Sequence, residues 1–372
     1  MIVQQTAHSA IVPRPGVLSI KPYVGGESGA PGANRVIKLS ANENPFGPAP
    51  AAVEAYRAEA HRLADYPDGG AVALREAIGA AHGLDPARIV CGAGSDELIG
   101  LLCKAYAGPG DAVLHSRHGF MMYPLAALAA GATPAAAAET DLHADVDALL
   151  AACGPATRLV FLANPNNPTG TLIPAAEVAR LADGLPPQAL LVLDAAYAEY
   201  VTAPGYDAGE RLAAERDNVV MLRTFSKIHG LAALRLGWCF GPAHVVDVLN
   251  RVRGPFNVSA PALAAGAAAV ADRDYVARCA VLNEVWRDWL AKRLAAAGAP
   301  CTPSQGNFLL VRFGAEGPAG APEADAWLKA RGLIVRRMEG YGLSDHLRIT
   351  VGDEAACRAV AEAVDAFRAA RA

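Results

Sequence analysis

Six short apolar runs punctuate the middle of the chain: RIVC (88–91), AVLHS (112–116), RLVFLA (158–163), ALLVLD (189–194), VVMLRT (219–224) and LGWCF (236–240). Most show no polar alternation, which is the pattern of strands buried on both faces of a parallel sheet. Between them, apolar positions recur with helical spacing in SDELIGLLCKAYA (95–107), PAAEVARLADGL (174–185) and HVVDVLNRVR (244–253). Strand–helix alternation of this kind predicts an α/β sheet with helices on both faces. From about residue 262 the pattern changes. One long helical stretch (263–298) leads into NFLLVRF, AWLKARG, LIVRRM, LRITVG and a closing helix, DEAACRAVAEAVDAFRAA. That reads as a smaller α+β unit. The first 45 residues are rich in Pro and Gly and weakly periodic, which predicts an arm laid over a surface. The expected division is an arm (1–45), a large domain (46–265) and a small C-terminal domain (266–372).

Composition narrows the setting. With 372 residues, 53% hydrophobic and 19% charged, the chain is globular and long enough for two packed units. A formal net charge of −4 gives no electrostatic reason to expect nucleic acid or an anionic membrane as partner. The N-terminus, MIVQQTAHSAIVPRPG, lacks the charged start and apolar core of a secretory signal. The most apolar long run, PLAALAAGATPAAAA (124–138), is Ala-rich, holds two prolines and is too short to span a bilayer. Seven scattered cysteines with no CxxC pair argue against a disulfide framework or a metal site and for reduced thiols in the cytoplasm.

In an open α/β sheet, ligands bind beyond the carboxyl ends of the strands. After RIVC comes GAGSDELI, a glycine turn into a helix. It reads either as an anion site built on free backbone N–H groups or as a plain N-cap by Ser95. Gly92-Ala93-Gly94 lacks the third glycine of a dinucleotide fingerprint. After RLVFLA comes NPNNPTG (164–170), a certain turn with a dense cluster of amides. Asp194 ends an apolar run, either buried against a cation or donor or exposed at the start of a turn, and Tyr197 follows it. After VVMLRT comes FSKIHGLAALRLGW. Its Lys227 and Arg235 read as catalytic groups or as a solvated loop and a salt bridge. The chain has only six lysines among 33 basic residues, so a lysine in an otherwise apolar or small segment points to what arginine cannot do, lose a proton. An anion nest, an amide, a carboxylate and a lysine at four strand ends match the needs of pyridoxal 5'-phosphate. Its phosphate needs a helix start, its phenolate oxygen needs donors, its ring nitrogen a carboxylate and its aldehyde an amine.

The motifs GSDE, NPNNPTG, DxAY and SK…R, in this order, resemble the class I/II aminotransferases of the fold-type-I pyridoxal-phosphate family. KLSANENPFGP (38–48), DYPDGG (65–70), PFNVSAP (255–261) and LRITVG (347–352) are similar to its histidinol-phosphate branch. The resemblance covers nearly the whole chain. It implies a large domain on a mostly parallel sheet of the seven-stranded type, a smaller α+β domain and an obligate homodimer with shared sites. It implies Lys227 as the residue that carries the cofactor and moves the proton, with Asp194 and Tyr197 as its catalytic companions. Asn167 and Tyr197 would hold the phenolate oxygen, and Phe120 would stack on the ring. Ser95, Asp96 and Glu97 would bind the phosphate with Thr224, Ser226 and Arg235, joined by Tyr66 from the partner subunit. Tyr23, Asn44, Arg336 and Arg348 would contact substrate, with Arg348 taking the carboxylate of glutamate. The implied reaction moves an amino group between histidinol phosphate and 2-oxoglutarate in histidine biosynthesis. An aromatic amino-acid aminotransferase or a threonine-phosphate decarboxylase would use much the same residues. A regulator on this fold would need a basic DNA-binding extension, which the N-terminus lacks. The chain departs from the family at Ala195, where Glu is common, and at Phe120 and His229, where Tyr is frequent.

Overall fold

The computed structural model describes residues 12–22, 29 and 35–371. Its centre is a seven-stranded sheet. In chain order the strands are β1 (Ile89–Gly92), β2 (Ala112–Ser116), β3 (Thr133–Ala137), β4 (Thr157–Ala163), β5 (Leu190–Asp194), β6 (Val219–Thr224) and β7 (Gly237–Phe240). Their spatial order is β1-β7-β6-β5-β4-β2-β3. Only β7 runs antiparallel, wedged between β1 and β6. Alternate residues feed two cores, one on each face. Val160, Leu162, Leu191, Leu193 and Met221 face one way, and Leu159, Phe161, Leu190, Val192 and Leu222 the other. This two-sided burial explains why the central strands read as unbroken apolar runs.

The smaller unit is a three-stranded antiparallel sheet in which Phe308–Arg312 and Arg336–Arg337 both pair with the central strand His346–Thr350. The closing helix Glu354–Ala369 covers it with Val360, Val364 and Phe367 in a separate core. Ile37–Lys38 pairs in parallel with Leu333–Ile334, so this part of the N-terminal segment joins the smaller unit. Farther upstream, Arg14 donates to the Ala129 carbonyl at 2.8 Å.

One sequence expectation needs correction. The stretch 263–298 is not one helix but part of two, Ala260–Ala271 and Arg273–Ala296. The break falls at Asp272, whose carboxylate accepts from the Tyr275 N–H at 3.0 Å and so caps the second helix. That helix contributes Cys279 to the large core and Leu290 and Leu294 to the small one. The apolar run 124–138, to which the sequence pattern assigned no element, forms most of two: the helix Met122–Ala130 and the strand β3. Gly131, at φ +83°, turns the chain between them. β3 lies at the sheet edge, where its Pro134 is tolerated. Among the described residues, no helix is long and apolar enough to cross a membrane.

Candidate active site

Strands β1, β4, β5 and β6 bring their carboxyl ends to one edge of the sheet, and a cavity of about 230 Å³ opens there. Ten of the residues singled out in the sequence line it: Ser95, Asp96, Phe120, Asn167, Asp194, Tyr197, Thr224, Ser226, Lys227 and Arg235.

Several open alternatives now close. Ser95 is the first residue of the helix Ser95–Tyr106, and Gly94, at φ +84°, takes the N-cap position without a side-chain cap. The first-turn amides therefore face the cavity with the positive end of the helix. A Cβ on Gly94 would stand 2.6 Å from Arg235 Nη2, so glycine is what leaves room for that guanidinium. Arg235 itself holds a left-handed backbone at φ +52°, a strained conformation for a residue with a side chain. It pairs with Asp96 at 3.2 Å and donates to Ser226 Oγ at 3.4 Å. The Ser226 N–H donates in turn to Thr224 Oγ1 at 3.1 Å.

Asp194 is 5% exposed rather than a surface turn residue. Burial raises its pKa to about 6, against the pull of hydrogen bonds from the Tyr123 hydroxyl at 2.8 Å and the Ala196 N–H at 3.2 Å. Lys227 is half-buried and donates to the Ala41 carbonyl at 3.1 Å. Burial, with the nearby charge of Arg348 next, lowers its pKa to about 8. Burial likewise pushes the Tyr197 hydroxyl up to about 12. That hydroxyl accepts from the Asn42 amide at 2.9 Å.

The two asparagines of NPNNPTG have different fates. Asn166 turns inward to the His118 carbonyl and Thr169, whereas Asn167 faces the cavity and accepts from Arg348 Nη1 at 2.5 Å. Arg348 also donates to the Ser40 carbonyl at 2.8 Å.

Other sequence candidates stand outside the cavity wall. Glu97 accepts from the Ala93 N–H at 2.6 Å and the Asn257 amide at 2.7 Å, tying the glycine turn to the PFNV segment. Asn44 donates to the Ile228 carbonyl at 2.7 Å, bracing the lysine loop. Arg336 lies across the strand pair from Arg348. Tyr66 is 81% exposed and stacks on Phe256 with ring centroids 4.7 Å apart. Tyr23 lies outside the described residues.

Asn42 and Tyr123 escaped the sequence reading. Asn42 sits inside KLSANENPFGP with a left-handed backbone at φ +55°, locked by Thr350 and Asn307. Tyr123 follows Phe120 by three residues, the one local hint that the two share a helix-like face.

Residues 34–364 match the family described as aminotransferase class I and II. The histidinol-phosphate aminotransferase of Ruegeria sp. (strain TM1040) is 58% identical over 359 residues, 96% of this chain and 98% of that protein. The protein of the same name from Rhodospirillum rubrum is 57% identical, over 96% of this chain and 97% of its own. A crystal structure of histidinol-phosphate aminotransferase from Sinorhizobium meliloti in complex with pyridoxal-5'-phosphate superposes with a TM-score of 0.89 at 30% identity, covering 99% of this chain and 100% of that one. On this similarity, which runs nearly the whole length of the chain, the protein belongs to the class I and II aminotransferase family.

Proposed function

We propose that the chain is a pyridoxal-phosphate-dependent transaminase that converts histidinol phosphate and 2-oxoglutarate to imidazole-acetol phosphate and glutamate. One observation carries the reading: Lys227, Asp194 and a helix start with Arg235 line the same cavity. The names of the relatives support the substrate. The donor set fits the cofactor, since the glycine-opened cradle at Gly94 suits a phosphate and the buried carboxylate suits a protonated ring nitrogen. Ser95, Asp96, Thr224, Ser226 and Arg235 would hold the phosphate, Asn167 and Tyr197 the phenolate oxygen, Asp194 the ring nitrogen and Lys227 the aldehyde carbon. Phe120 would cover the ring face. Glu97 acts one step back, by fixing the turn that presents those amides.

Once bound, pyridoxal phosphate supplies an electron-withdrawing ring that spreads the charge left when a proton leaves the amine-bearing carbon of the substrate. The chain supplies the rest. Lys227 Nζ has a pKa of about 8, so a usable fraction is neutral at physiological pH and can take and return that proton. Asp194 keeps the ring nitrogen protonated, and Arg348 holds Asn167 in place. The reading is tested by mixing the pyridoxal form with histidinol phosphate, phenylalanine or tyrosine in single turnover. Histidinol phosphate should bleach the yellow form fastest, and faster bleaching by phenylalanine would make this an aromatic amino-acid transaminase.

Substrate choice falls to two arginines. Arg336 and Arg348 stand directly opposite in antiparallel strands, and like charges so placed repel. An arginine fork meets carboxylate and phosphate oxygens alike, so a phosphate-bearing substrate that reached this strand pair would meet two cationic side chains. Arg336→Leu should weaken histidinol phosphate strongly and phenylalanine little, whereas Arg348→Leu should harm glutamate as well. The expected gap is that of a desolvated charge pair, about 2–5 kcal/mol. It is read as the ratio of kcat/KM for histidinol phosphate and phenylalanine, and an unchanged ratio in Arg336→Leu would remove Arg336 from phosphate recognition.

We further propose a homodimer with shared sites, and the division of the chain into arm, large and small domains at 1–45, 46–265 and 266–372. Leu63, Tyr66, Val72 and Phe256 are exposed apolar side chains, and Tyr66 stacks on Phe256 at the surface, which supports an apolar patch that a partner would cover. Tyr66 would reach the partner's cofactor phosphate. Tyr66→Phe and Lys227→Ala subunits, each impaired alone, should regain activity when mixed, because one site of each mixed dimer is intact. No regain despite proven subunit exchange would defeat sharing. All seven cysteines are free thiols, which supports a cytoplasmic setting.

A further inference from the structure

We infer that Tyr123 is a positioning residue for Asp194, donating its hydroxyl proton to Oδ2 so that the carboxylate is fixed and the proton it shares with the cofactor's ring nitrogen stays on the ring. The inference rests on the reading above, that Asp194 faces that nitrogen.

The geometry isolates the contact. Tyr123 has no solvent-exposed surface, and its hydroxyl lies 2.8 Å from Asp194 Oδ2. Its ring stacks flat on Phe161 of β4, with centroids 4.5 Å apart and planes at 9°. Sitting in the first turn of the helix Met122–Ala130 and clamped against a central strand, the phenol has little freedom to swing away. Asp194 Oδ1 accepts from the Ala196 N–H, so each carboxylate oxygen has one donor from the chain and keeps a lone pair for a ligand. The same tyrosine packs edge-on against Phe120, at 5.8 Å and 86°, and Phe120 lines the cavity. One buried residue thus touches both the carboxylate and the aromatic ring assigned to the cofactor's face.

Donation to a carboxylate stabilises its charged form and makes it a weaker base. Burial works in the opposite direction at Asp194. Without Tyr123, the burial effect would be less opposed, and the carboxylate would compete better for the shared proton. A ring that loses that proton is a poorer electron sink. Tyr123 itself remains a donor, because burial and then the charge of Asp194 hold its hydroxyl well above the usual phenol range.

The test is Tyr123→Phe, which deletes the hydroxyl and keeps the ring stack. Wild type and variant are loaded with pyridoxal phosphate carrying ¹⁵N in the ring, and the nitrogen resonance is recorded. The resonance of the variant should move toward that of unprotonated pyridine. With histidinol phosphate, kcat should fall about tenfold, the size of one hydrogen bond to a charged group, with little change in KM. Should the variant fold poorly, 3-fluorotyrosine at position 123 provides a stronger donor and should move the resonance the other way. An unshifted resonance overturns the inference, even if the rate falls, because a purely structural role would slow turnover without moving the proton. Failure of wild type to bind pyridoxal phosphate would instead overturn the proposed function itself.

Discussion

Lys227→Ala should lower transamination by about 10⁴-fold, the upper end of what a positioned acid–base group contributes, while the protein still binds pyridoxal phosphate noncovalently. The size of the effect follows from the site. Among the described residues, Lys227 is the only lysine that lines the cavity, so no other lysine on its wall can take the role. Reduction of the yellow protein with borohydride, followed by peptide mapping, should label Lys227 and none of the other five lysines. A label on any of those five would end the assignment. The depressed pKa has a second signature in the cofactor-free protein. Between about pH 8 and 10.5, the unfolded chain holds a proton at this position that the folded chain has lost. Stability of wild type relative to Lys227→Met should therefore rise with pH through that window, which denaturant titrations at several pH values would detect.

The lysine was legible because the chain spends so few of them and sets this one among apolar neighbours. Asp194 and Asn167 were legible for a different reason: one ends and the other closely follows a strand whose apolar run marks it as central, and the ligand edge of a parallel sheet is fixed by strand direction. Tyr123 and Asn42 were not, because their partners lie 71 and 155 residues away, and no local pattern records such a contact. The helix break at Asp272 was hidden by alanine. Ala fits a helix so well that a run of it masks a capping aspartate at its end. Alanine also hid β3, since PLAALAAGATPAAAA has no β-branched residue inside its strand except Thr133, and only Gly131 marks the turn. Tyr66 could be placed in a motif but not in a site, because within one subunit it meets Phe256 and solvent.

Asp194→Asn should cost kcat heavily, by about 10²–10³-fold, with a far smaller effect on KM. A neutral amide cannot hold the ring nitrogen's proton, and the loss is felt where negative charge builds up on the ring, not in the bound ground state. Asp194→Glu should retain part of the activity, because it keeps the charge at a displaced position. Asp194→Asn should also stabilise the cofactor-free protein. A carboxyl whose folded pKa is about 6, against 3.8 for an ordinary aspartate, binds more protons folded than unfolded between those values. Its contribution is therefore present below pH 3.8 and is lost as pH rises through 6, so that at pH 7 the buried charge is a net cost. The asparagine removes that cost, about 2–3 kcal/mol at most, and its side-chain oxygen can still accept from Tyr123. Thermal melts of the two cofactor-free proteins should cross: Asp194→Asn more stable at pH 7 and the advantage gone at pH 4. Adding pyridoxal phosphate should then reverse the order at pH 7, because the protonated ring nitrogen would give the carboxylate a cationic partner in addition to its two neutral donors. A variant with near-normal turnover, or with no stability gain at pH 7, would mean that the cavity does not use the charge of Asp194.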